Sequence, residues 1–336
     1  MTVTPPTAAE LEQVQRFTSA IEESMSAVVA GQGDAIRAII TTVLARGHLL
    51  MEDVPGVGKT TLARAFAASI DASVGRIQFT PDLLPADVTG VSIYRSDEHA
   101  FEFRPGPVFA HVVIADEINR ASPKTQSALL ESMQERAVTV DGTTRALPNP
   151  FTVVATQNPI EMEGTYPLPE AQRDRFMAQI SVGYPSREAE MDMLMGRDGG
   201  VDPLAAIVPV AHTQDVTLAI GTANKVHASP AAKQYILDLV GATREHAALR
   251  LGASPRASLQ LLAASRATAA LHGRGHIIPE DVQERAVAVL SHRLLPSHEA
   301  RVAGLSTRDI VEEIVRATRV PGTPRMNTRE AVAARP

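Results

Sequence analysis

The chain has 336 residues, with 38 Asp and Glu against 32 Lys and Arg, which gives a formal net charge of −6. This acidic balance and an aromatic content of only 4%, with no Trp, argue against a nucleic-acid-binding protein. The lack of Cys excludes disulfides, zinc–thiolate sites, iron–sulfur clusters and thiol catalysis. No segment has the apolar length of a membrane helix, and the first residues do not resemble a secretory leader. We therefore expect a cytoplasmic protein without membrane insertion.

Two helical patterns open the chain. Residues 8–25 and 33–46 repeat apolar side chains at the spacing of an amphipathic helix. A short apolar run at 48–51 then predicts a strand, which is followed by a glycine-rich turn and a third helical pattern. A strand, a turn and a helix in this order begin a βαβ unit, the building block of a parallel sheet.

Further strands and two hairpins follow before residue 184. The remaining strands are predicted at 76–80, 109–115, 151–156 and 178–182. The two most apolar of them, 109–115 and 151–156, have the composition of strands that are buried on both faces. An Asp-Gly turn indicates a hairpin over 138–146, and a second hairpin is predicted over 91–103. The sequence thus predicts an α/β fold with a parallel sheet.

The pattern changes at Tyr184-Pro185. Beyond this point helical periodicity dominates and no sheet is predicted, so we expect a separate helical domain. The predicted helices are 214–225, 231–246, 255–272, 279–292 and 307–317. The predicted domains are a mobile N-terminus (1–10), an α/β nucleotide-binding core (11–185), a linker (186–200), a helical lid (201–320) and a mobile tail (321–336).

The glycine-rich turn carries the strongest chemical signal. A phosphate-binding loop needs glycines where backbone N–H groups converge on oxygens, a Lys for the β and γ phosphates, and a hydroxyl for Mg²⁺. Gly58, Lys59 and Thr60 supply these three features at the start of a helix, whose positive end also attracts phosphate. The residues assigned to the loop are Pro55, Gly56, Val57, Gly58, Lys59, Thr60 and Thr61. The first glycine of the strict pattern is replaced by Asp53.

Two strand ends add polar side chains to this loop. The strand 109–115 is followed by Asp116 and Glu117, and the strand 151–156 is followed by Asn158. Ligands of α/β sheets bind at the carboxyl ends of strands. There, Asp116 is suited to hold Mg²⁺, Glu117 to polarise water, and Asn158 to lie between the γ phosphate and that water. A plain Asn-Pro turn remains an alternative reading of Asn158.

Arginines are the last candidates. Arg173 and Arg175 precede the final predicted strand, and Arg256 begins a helix in the second domain. An arginine stabilises the charge of phosphoryl transfer when it is supplied in cis or in trans. Spacing alone does not separate this role from that of a surface ion pair.

Several long segments together resemble the MoxR-type members of the AAA+ ATPases over residues 10–320. The segments are 50–61, 78–85, 87–90, 115–121, 124–131, 155–160 and 163–170. The resemblance implies an AAA+ P-loop core followed by a helical lid. It assigns Walker A to Lys59 and Thr60, Walker B to Asp116 and Glu117 with Glu117 as the base, sensor 1 to Asn158, the arginine finger to Arg175, sensor 2 to Arg256 and the adenine contact to Gly31 and Gln32. Arg173 departs from the family pattern, in which this position is apolar, and stays open as an alternative finger.

The resemblance also implies a function. Members of this family are ATP hydrolases that use Mg²⁺, assemble as hexameric rings and act like chaperones on a client protein, often with a partner that contains a von Willebrand factor A domain. The client is not encoded in any motif. Three alternatives remain: a nucleotide-switched scaffold with little turnover, a DNA-associated motor and a small-molecule kinase. The acidic balance disfavours the motor, and the lack of a clear acceptor site disfavours the kinase.

Overall fold

The computed structural model describes residues 4–29, 31–54, 56–158, 165–196 and 203–321. It has an α/β core in the first half of the chain and a helical region in the second, so the expected fold class is confirmed. The strands are β1 (Leu49–Glu52), β2 (Val74–Gln78), β3 (Gly90–Arg95), β4 (Ala100–Pro105), β5 (Val112–Asp116), β6 (Ala137–Val140), β7 (Thr143–Ala146), β8 (Thr152–Gln157), β9 (Ala178–Ile180), β10 (Leu249–Leu251) and β11 (Leu295–Pro296).

The core is built on a five-stranded sheet. Its strands run in the order β2-β5-β8-β1-β9, and every pair in it is parallel. The central strands β5 and β8 are buried almost throughout, which explains their continuous apolar sequences. This order places β8 between β1 and β5, so the polar residues that follow these three strands meet at one edge of the sheet.

Helices cover both faces of the sheet and form the lid. They are α1 (Ala8–Ser26), α2 (Gly33–Leu44), α3 (Lys59–Ser69), α4 (Pro85–Thr89), α5 (Pro123–Glu135), α6 (Glu170–Arg173), α7 (Arg187–Gly196), α8 (Thr213–Lys225), α9 (Pro230–Glu245), α10 (Pro255–Leu271), α11 (Pro279–Leu290), α12 (His298–Val302) and α13 (Thr307–Ala317). Many begin as their sequences predict, for example α5, whose N-cap Ser122 accepts a hydrogen bond from the Thr125 backbone at 3.4 Å. Across the described residues, no helix combines the length and apolar character needed to cross a membrane.

Two antiparallel hairpins project from the core, as the sequence predicts. The first is formed by β3 and β4 and the second by β6 and β7. The Arg145 guanidinium of the second hairpin lies 4.0 Å from the centre of the Phe103 ring on the first. This cation–π contact joins the two hairpins.

The structure differs from the sequence analysis in three segments. Helix α1 begins at Ala8, within the segment predicted to be mobile, because Thr7 and Glu10 form a reciprocal capping box. Helix α7 occupies most of the predicted linker 186–200, and the Ser186 hydroxyl accepts a hydrogen bond from its first turn. The helical region contains the short pair β10–β11, which is too short to produce a periodic pattern. Residues 322–336 of the predicted tail lie outside the described part.

The lid and the core share apolar surface. Alternate residues of β1 point to opposite faces of the sheet, as in any strand. Leu49 and Met51 belong to a buried cluster that continues through α1, α2 and α3 into the lid helices, including Leu261 of α10 and Val289 of α11. Leu50 belongs to a second cluster on the other face of the sheet. The lid is therefore an extension of one core layer, attached by ordinary apolar burial.

Candidate functional site

The glycine-rich loop lies between β1 and α3. It is at the side of the sheet where the parallel strands have their carboxyl ends, called here the carboxyl edge; the opposite side is the amino edge. Gly56 and Gly58 have φ values of +88° and +86°, which explains why glycine is needed at both positions. Val57 is buried beneath the loop, and Thr61 lies half-buried in the first turn of α3. Pro55 lies outside the described residues. The loop thus has the backbone geometry in which N–H groups converge on phosphate at a helix N-terminus.

Lys59 lies across the mouth of this loop. Its ammonium donates to the carbonyl oxygens of Asp53, at 2.5 Å, and of Val54, at 3.1 Å. Burial lowers the pKa of Lys59, while nearby carboxylates such as that of Asp116 act in the opposite direction. The ammonium is therefore held by the loop and lies close to the acidic strand end, where a phosphate chain would pass.

The residues expected at Mg²⁺ are in contact. The Thr60 hydroxyl donates to one oxygen of Asp116 at 3.0 Å, and Asp116 is 5% exposed. The other Asp116 oxygen accepts from Nε of Arg76 at 2.9 Å. A hydroxyl beside a buried carboxylate is a suitable ligand pair for Mg²⁺, a hard cation that prefers oxygen. The sequence analysis did not identify Arg76, since a single Arg on a strand carries no pattern.

Glu117 is oriented by neighbours that the sequence analysis did not identify. Its backbone is left-handed, with φ at 57°, and its N–H donates to the Thr156 hydroxyl at 2.9 Å. Its carboxylate accepts from Nε2 of Gln78 at 2.9 Å and from Nη1 of Arg120 at 2.8 Å. Gln78 pairs with Asp116 in the register of β2 and β5. The carboxylate is thus directed to the edge where the loop lies.

Asn158 lies at the same edge. It follows β8, the strand between β1 and β5, and is 7% exposed. Its backbone carbonyl accepts a hydrogen bond from Asn119 at 3.4 Å. The sheet order therefore brings Asn158 to the edge at which the loop and Glu117 lie, which agrees with its predicted position after a strand.

The residues assigned to adenine contact the loop from the other side. Nε2 of Gln32 donates to the Val57 carbonyl at 3.1 Å, and Gly31 has φ at +74°. Oε1 of Gln32 is buried and accepts no hydrogen bond from the described residues. A buried acceptor without a donor is costly, and an adenine amino group would satisfy it. Gln32 therefore fits a nucleotide bound beside the loop.

Asp53 joins the loop to the edge strand. Its Oδ2 accepts from the Gly183 backbone at 2.6 Å and from the Ser181 hydroxyl at 2.9 Å, and its Oδ1 accepts from the Val54 backbone. Burial acts to raise the pKa of Asp53, but its hydrogen bonds, led by the one from the Gly183 backbone, prevail and lower it. The position at which the strict loop pattern has glycine thus ties the loop to the segment that follows β9.

The arginines lie at the opposite edge. Arg175 precedes β9 by three residues, and β9 pairs in parallel with β1 from Leu49 and Ala178 onward. No described residue forms a hydrogen bond or ion pair with the Arg175 guanidinium. Arg173 lies near His292 of the lid and contributes to the low pKa of that buried histidine, whose main cause is desolvation. Arg175 is thus at the amino end of the sheet.

Arg256 lies in the lid, close to the segment that carries Arg173 and Arg175. It lies in the first turn of α10, two residues after Ser254, whose hydroxyl donates to Asp174 at 3.1 Å. Burial lowers the pKa of His48, at the amino end of β1, to about 3, and the charge of Arg256 is close enough to contribute. Because a strand rises about 3.3 Å per residue, about 16 Å separates His48 from Asp53. The hydrogen bond between Ser254 and Asp174 therefore places the start of α10 beside the segment that carries Arg175.

Comparison with known proteins gives a consistent result. The family model described as the ATPase family associated with various cellular activities matches residues 48–178, and the AAA lid domain matches residues 241–314. A crystal structure of a candidate ATPase from Cytophaga hutchinsonii superposes with a TM-score of 0.86 at 40% identity, covering 93% of this chain and 97% of that one.

Curated relatives extend over most of the chain. The uncharacterized protein YeaC of Bacillus subtilis is 49% identical, with 89% of this chain and 93% of that protein covered. Chaperone MoxR1 of Mycobacterium tuberculosis is 42% identical (94% and 86% covered), and Protein MoxR of Paracoccus denitrificans is 34% identical (85% and 91% covered). These matches show that the chain belongs to the MoxR family of AAA+ ATPases.

Proposed function

We propose that this chain binds ATP with Mg²⁺ at the carboxyl edge of its sheet and hydrolyses the bond between the β and γ phosphates. The observation that carries the proposal is the contact between the Thr60 hydroxyl and the Asp116 carboxylate, with Lys59 on one side and Glu117 on the other. A phosphate loop, an oxygen ligand pair for the metal and an oriented carboxylate are together the parts that nucleotide hydrolysis requires.

Binding uses the loop and the start of α3. The backbone N–H groups after Gly58 and the positive helix end hold the phosphate chain, and the Lys59 ammonium moves from the loop carbonyls to the β and γ phosphate oxygens. Thr60 and Asp116 would hold Mg²⁺, which neutralises charge on the phosphates when bound. Gln32 receives the adenine amino group at its unpartnered Oε1.

The chemical step is assigned to Glu117. Its carboxylate accepts a proton from a water molecule whose oxygen attacks the γ phosphorus, while the bond to the bridging oxygen breaks and ADP leaves. Gln78 and Arg120 keep the carboxylate directed to the strand end, and Asn158 positions the water. A base fixed by two neighbours loses little orientation freedom on reaching the transition state.

The site is completed by a second subunit. Arg175 and Arg256 lie at the amino edge of the sheet, so they meet a γ phosphate only when that edge faces the loop of a neighbouring copy. A head-to-tail contact of this kind closes into a ring when the rotation between subunits is a whole fraction of a turn. We infer a homo-hexamer from the family resemblance, with Arg175 as the finger and Arg173 as the alternative.

The cellular role rests on the relatives. One relative is named a chaperone, which supports remodelling or activation of a client protein in the cytoplasm by this chain. A partner with a von Willebrand factor A domain is inferred from the family resemblance alone. The acidic chain has no feature that favours a DNA-associated motor.

The test is a substitution that removes only the base. Glu117→Gln keeps the size of the side chain and can still hydrogen-bond, so ATP affinity is expected to stay unchanged. Turnover is expected to fall by roughly 10²-fold or more, the scale of general-base catalysis. Steady-state ATP hydrolysis and calorimetric ATP binding are measured together, with Glu23→Gln on the exposed face of α1 as the matched control.

Each outcome has a meaning. Wild-type turnover in Glu117→Gln would place the base elsewhere. If the wild-type chain binds ATP and assembles but hydrolyses ATP no faster than a reaction without protein, the chain is a nucleotide-switched scaffold.

A further inference from the structure

The segment between α6 and β9, residues 173–176, carries both candidate finger arginines and is called here the finger segment. Between the two arginines lies Asp174, which is 20% exposed at its side chain. Both of its carboxylate oxygens accept from the Ser254 hydroxyl, at 3.1 Å each, and Oδ1 also accepts from Nε of Arg293 at 2.8 Å. Asp174 is therefore a core residue whose described side-chain hydrogen bonds all go to the lid.

Arg293 holds the backbone of the same segment. Its side chain is 2% exposed, and its Nη2 donates to the Phe176 carbonyl at 2.5 Å, while its Nη1 donates to the Met177 carbonyl at 3.2 Å. It also donates to Gln260 of α10. Burial lowers the pKa of Arg293 to about 10, and the charge of Asp174 opposes this effect. Lid and finger segment are thus joined by a network in which a buried charge is paired and hydrogen-bonded.

The same contacts reach the second arginine. Ser254 is the N-cap residue of α10, and Arg256 follows it by two residues in the first helical turn. The Asp174 carboxylate is adjacent to Arg175 in the chain. Through its hydrogen bond with Ser254 it is also joined to the helical turn that carries Arg256. Among the hydrogen bonds of the described residues, those of the Asp174 carboxylate with Ser254 connect the segment that carries Arg175 to the start of the helix that carries Arg256.

We propose that Asp174 is a positioning residue that fixes Arg175 and Arg256 in one geometry, so that both are presented together to the nucleotide of the neighbouring subunit. The inference rests on the proposed in-trans use of these arginines. A buried ion pair is by itself weak evidence for stability, because desolvation offsets the attraction. A role in geometry explains why a charged network is kept at this boundary, where apolar contacts already attach the lid.

The test uses mixed rings. A subunit without this positioning residue supplies misplaced arginines to its neighbour, but it still hydrolyses its own ATP when the other neighbour supplies intact arginines. Asp174→Asn alone is expected to lower kcat by roughly 10²-fold, the scale of a misplacement near 1 Å, with KM for ATP unchanged. Mixed with Lys59→Ala subunits, which bind ATP poorly but supply intact arginines, the Asp174→Asn subunits should regain activity at shared interfaces. Mixed with Arg175→Ala subunits, they should regain none.

The matched control is another aspartate with a buried ion pair in the lid. Asp281 is 1% exposed and binds Arg274, at 2.7 Å between Oδ2 and Nη1, and its removal breaks an ion pair without touching the finger segment. Asp281→Asn should lower the melting temperature. It should not lose activity alone and regain it with Lys59→Ala but not with Arg175→Ala. Where Asp174→Asn does not assemble, Ser254→Ala is measured instead, with the same pattern and a smaller loss.

The outcomes separate this inference from the proposed function. A mixture of Lys59→Ala and Arg175→Ala in proven mixed rings tests the in-trans arginine itself, and failure there overturns the in-trans role of Arg175 on which this inference rests. If that mixture is active but Asp174→Asn has wild-type kcat, or fails to regain activity with Lys59→Ala, Asp174 has no positioning role.

Discussion

The two edges of the central sheet differ in the charge they carry and in what holds that charge. At the carboxyl edge, Asp116 and Glu117 face Lys59, and their partners come from within the core. At the amino edge, Arg175 precedes β9, and its neighbour Asp174 is hydrogen-bonded to Ser254 and Arg293 of the lid, where Arg256 begins α10. Both edges carry parts that phosphoryl transfer uses, yet they are separated by the length of the strands.

This difference is informative about assembly. The phosphate loop and the residues proposed to hold Mg²⁺ lie at the carboxyl edge, whereas Arg175 of the same chain precedes β9 at the amino edge. We infer that the carboxyl edge serves the chain's own nucleotide and the amino edge serves that of a neighbour. Substitutions at the two edges should therefore behave differently in mixtures.

The largest expected effect is at the amino edge. Arg175→Ala should retain ATP affinity and lose about 10³ in turnover, the scale measured for in-trans arginines in related chemistry. Mixed with inactive Lys59→Ala subunits, it should regain activity, because some interfaces then combine an intact loop with an intact arginine. Hydrolysis is measured before and after mixing.

Two controls make the mixture decisive. Co-purification of differently tagged chains shows that subunits exchange. If exchange is proven and activity does not return, Arg175 is not the finger. Repeating the mixture with Arg173→Ala then shows whether that arginine has the role.

The next effect is at the carboxyl edge. Lys59→Ala removes the charge that meets the phosphates, and loss of one partner of such a charge pair costs on the order of 2 kcal/mol or more, about 30-fold in affinity. The melting temperature without nucleotide should not change, because the hydrogen bonds of the ammonium to described residues are those to the Asp53 and Val54 carbonyls of the loop. Calorimetry gives the affinity, and an unaltered value would contradict the assignment of the loop.

The smallest effect concerns the link between the loop and β9. Asp53→Ala removes the hydrogen bonds to Ser181 and Gly183 and should lower the free energy of unfolding by about 1–3 kcal/mol. ADP affinity should fall less than in Lys59→Ala. Ser181→Ala, which removes one of these bonds, is the matched control and should have a smaller effect. Equal stability of Asp53→Ala and the wild type would show that the link is unimportant.

Much of the fold was predictable because its signals are local. The apolar runs at 109–115 and 151–156 predict buried parallel strands, and the glycine pattern before Lys59 predicts a loop between a strand and a helix. The strand ends at Asp116 and Asn158 follow from the same pattern. Short elements such as β10 and β11 were missed, because two or three residues hold no period.

The contacts that orient the site were not predictable in this way. Gln78 was not identified, since it reaches Glu117 only once β2 and β5 pair in register. Arg76 reaches Asp116 for the same reason. A polar residue on a strand has many possible partners, and only the sheet order selects one. Arg120 was not identified although it is three residues from Glu117, because the local turn that joins them has no sequence pattern.

The sequence by itself determined the βαβ core, the phosphate loop, the acidic strand end and the helical second domain, because each depends on the pattern of residues that are close together in the chain. Only the tertiary structure decided which edge each group occupies and what holds it. Asp53 and Gly183 are 130 residues apart, and Asp174 and Arg293 are 119 residues apart, yet each pair is joined by a hydrogen bond. The first pair forms when β9 pairs with β1, and the second when the lid packs on the core. No local periodicity records either pair.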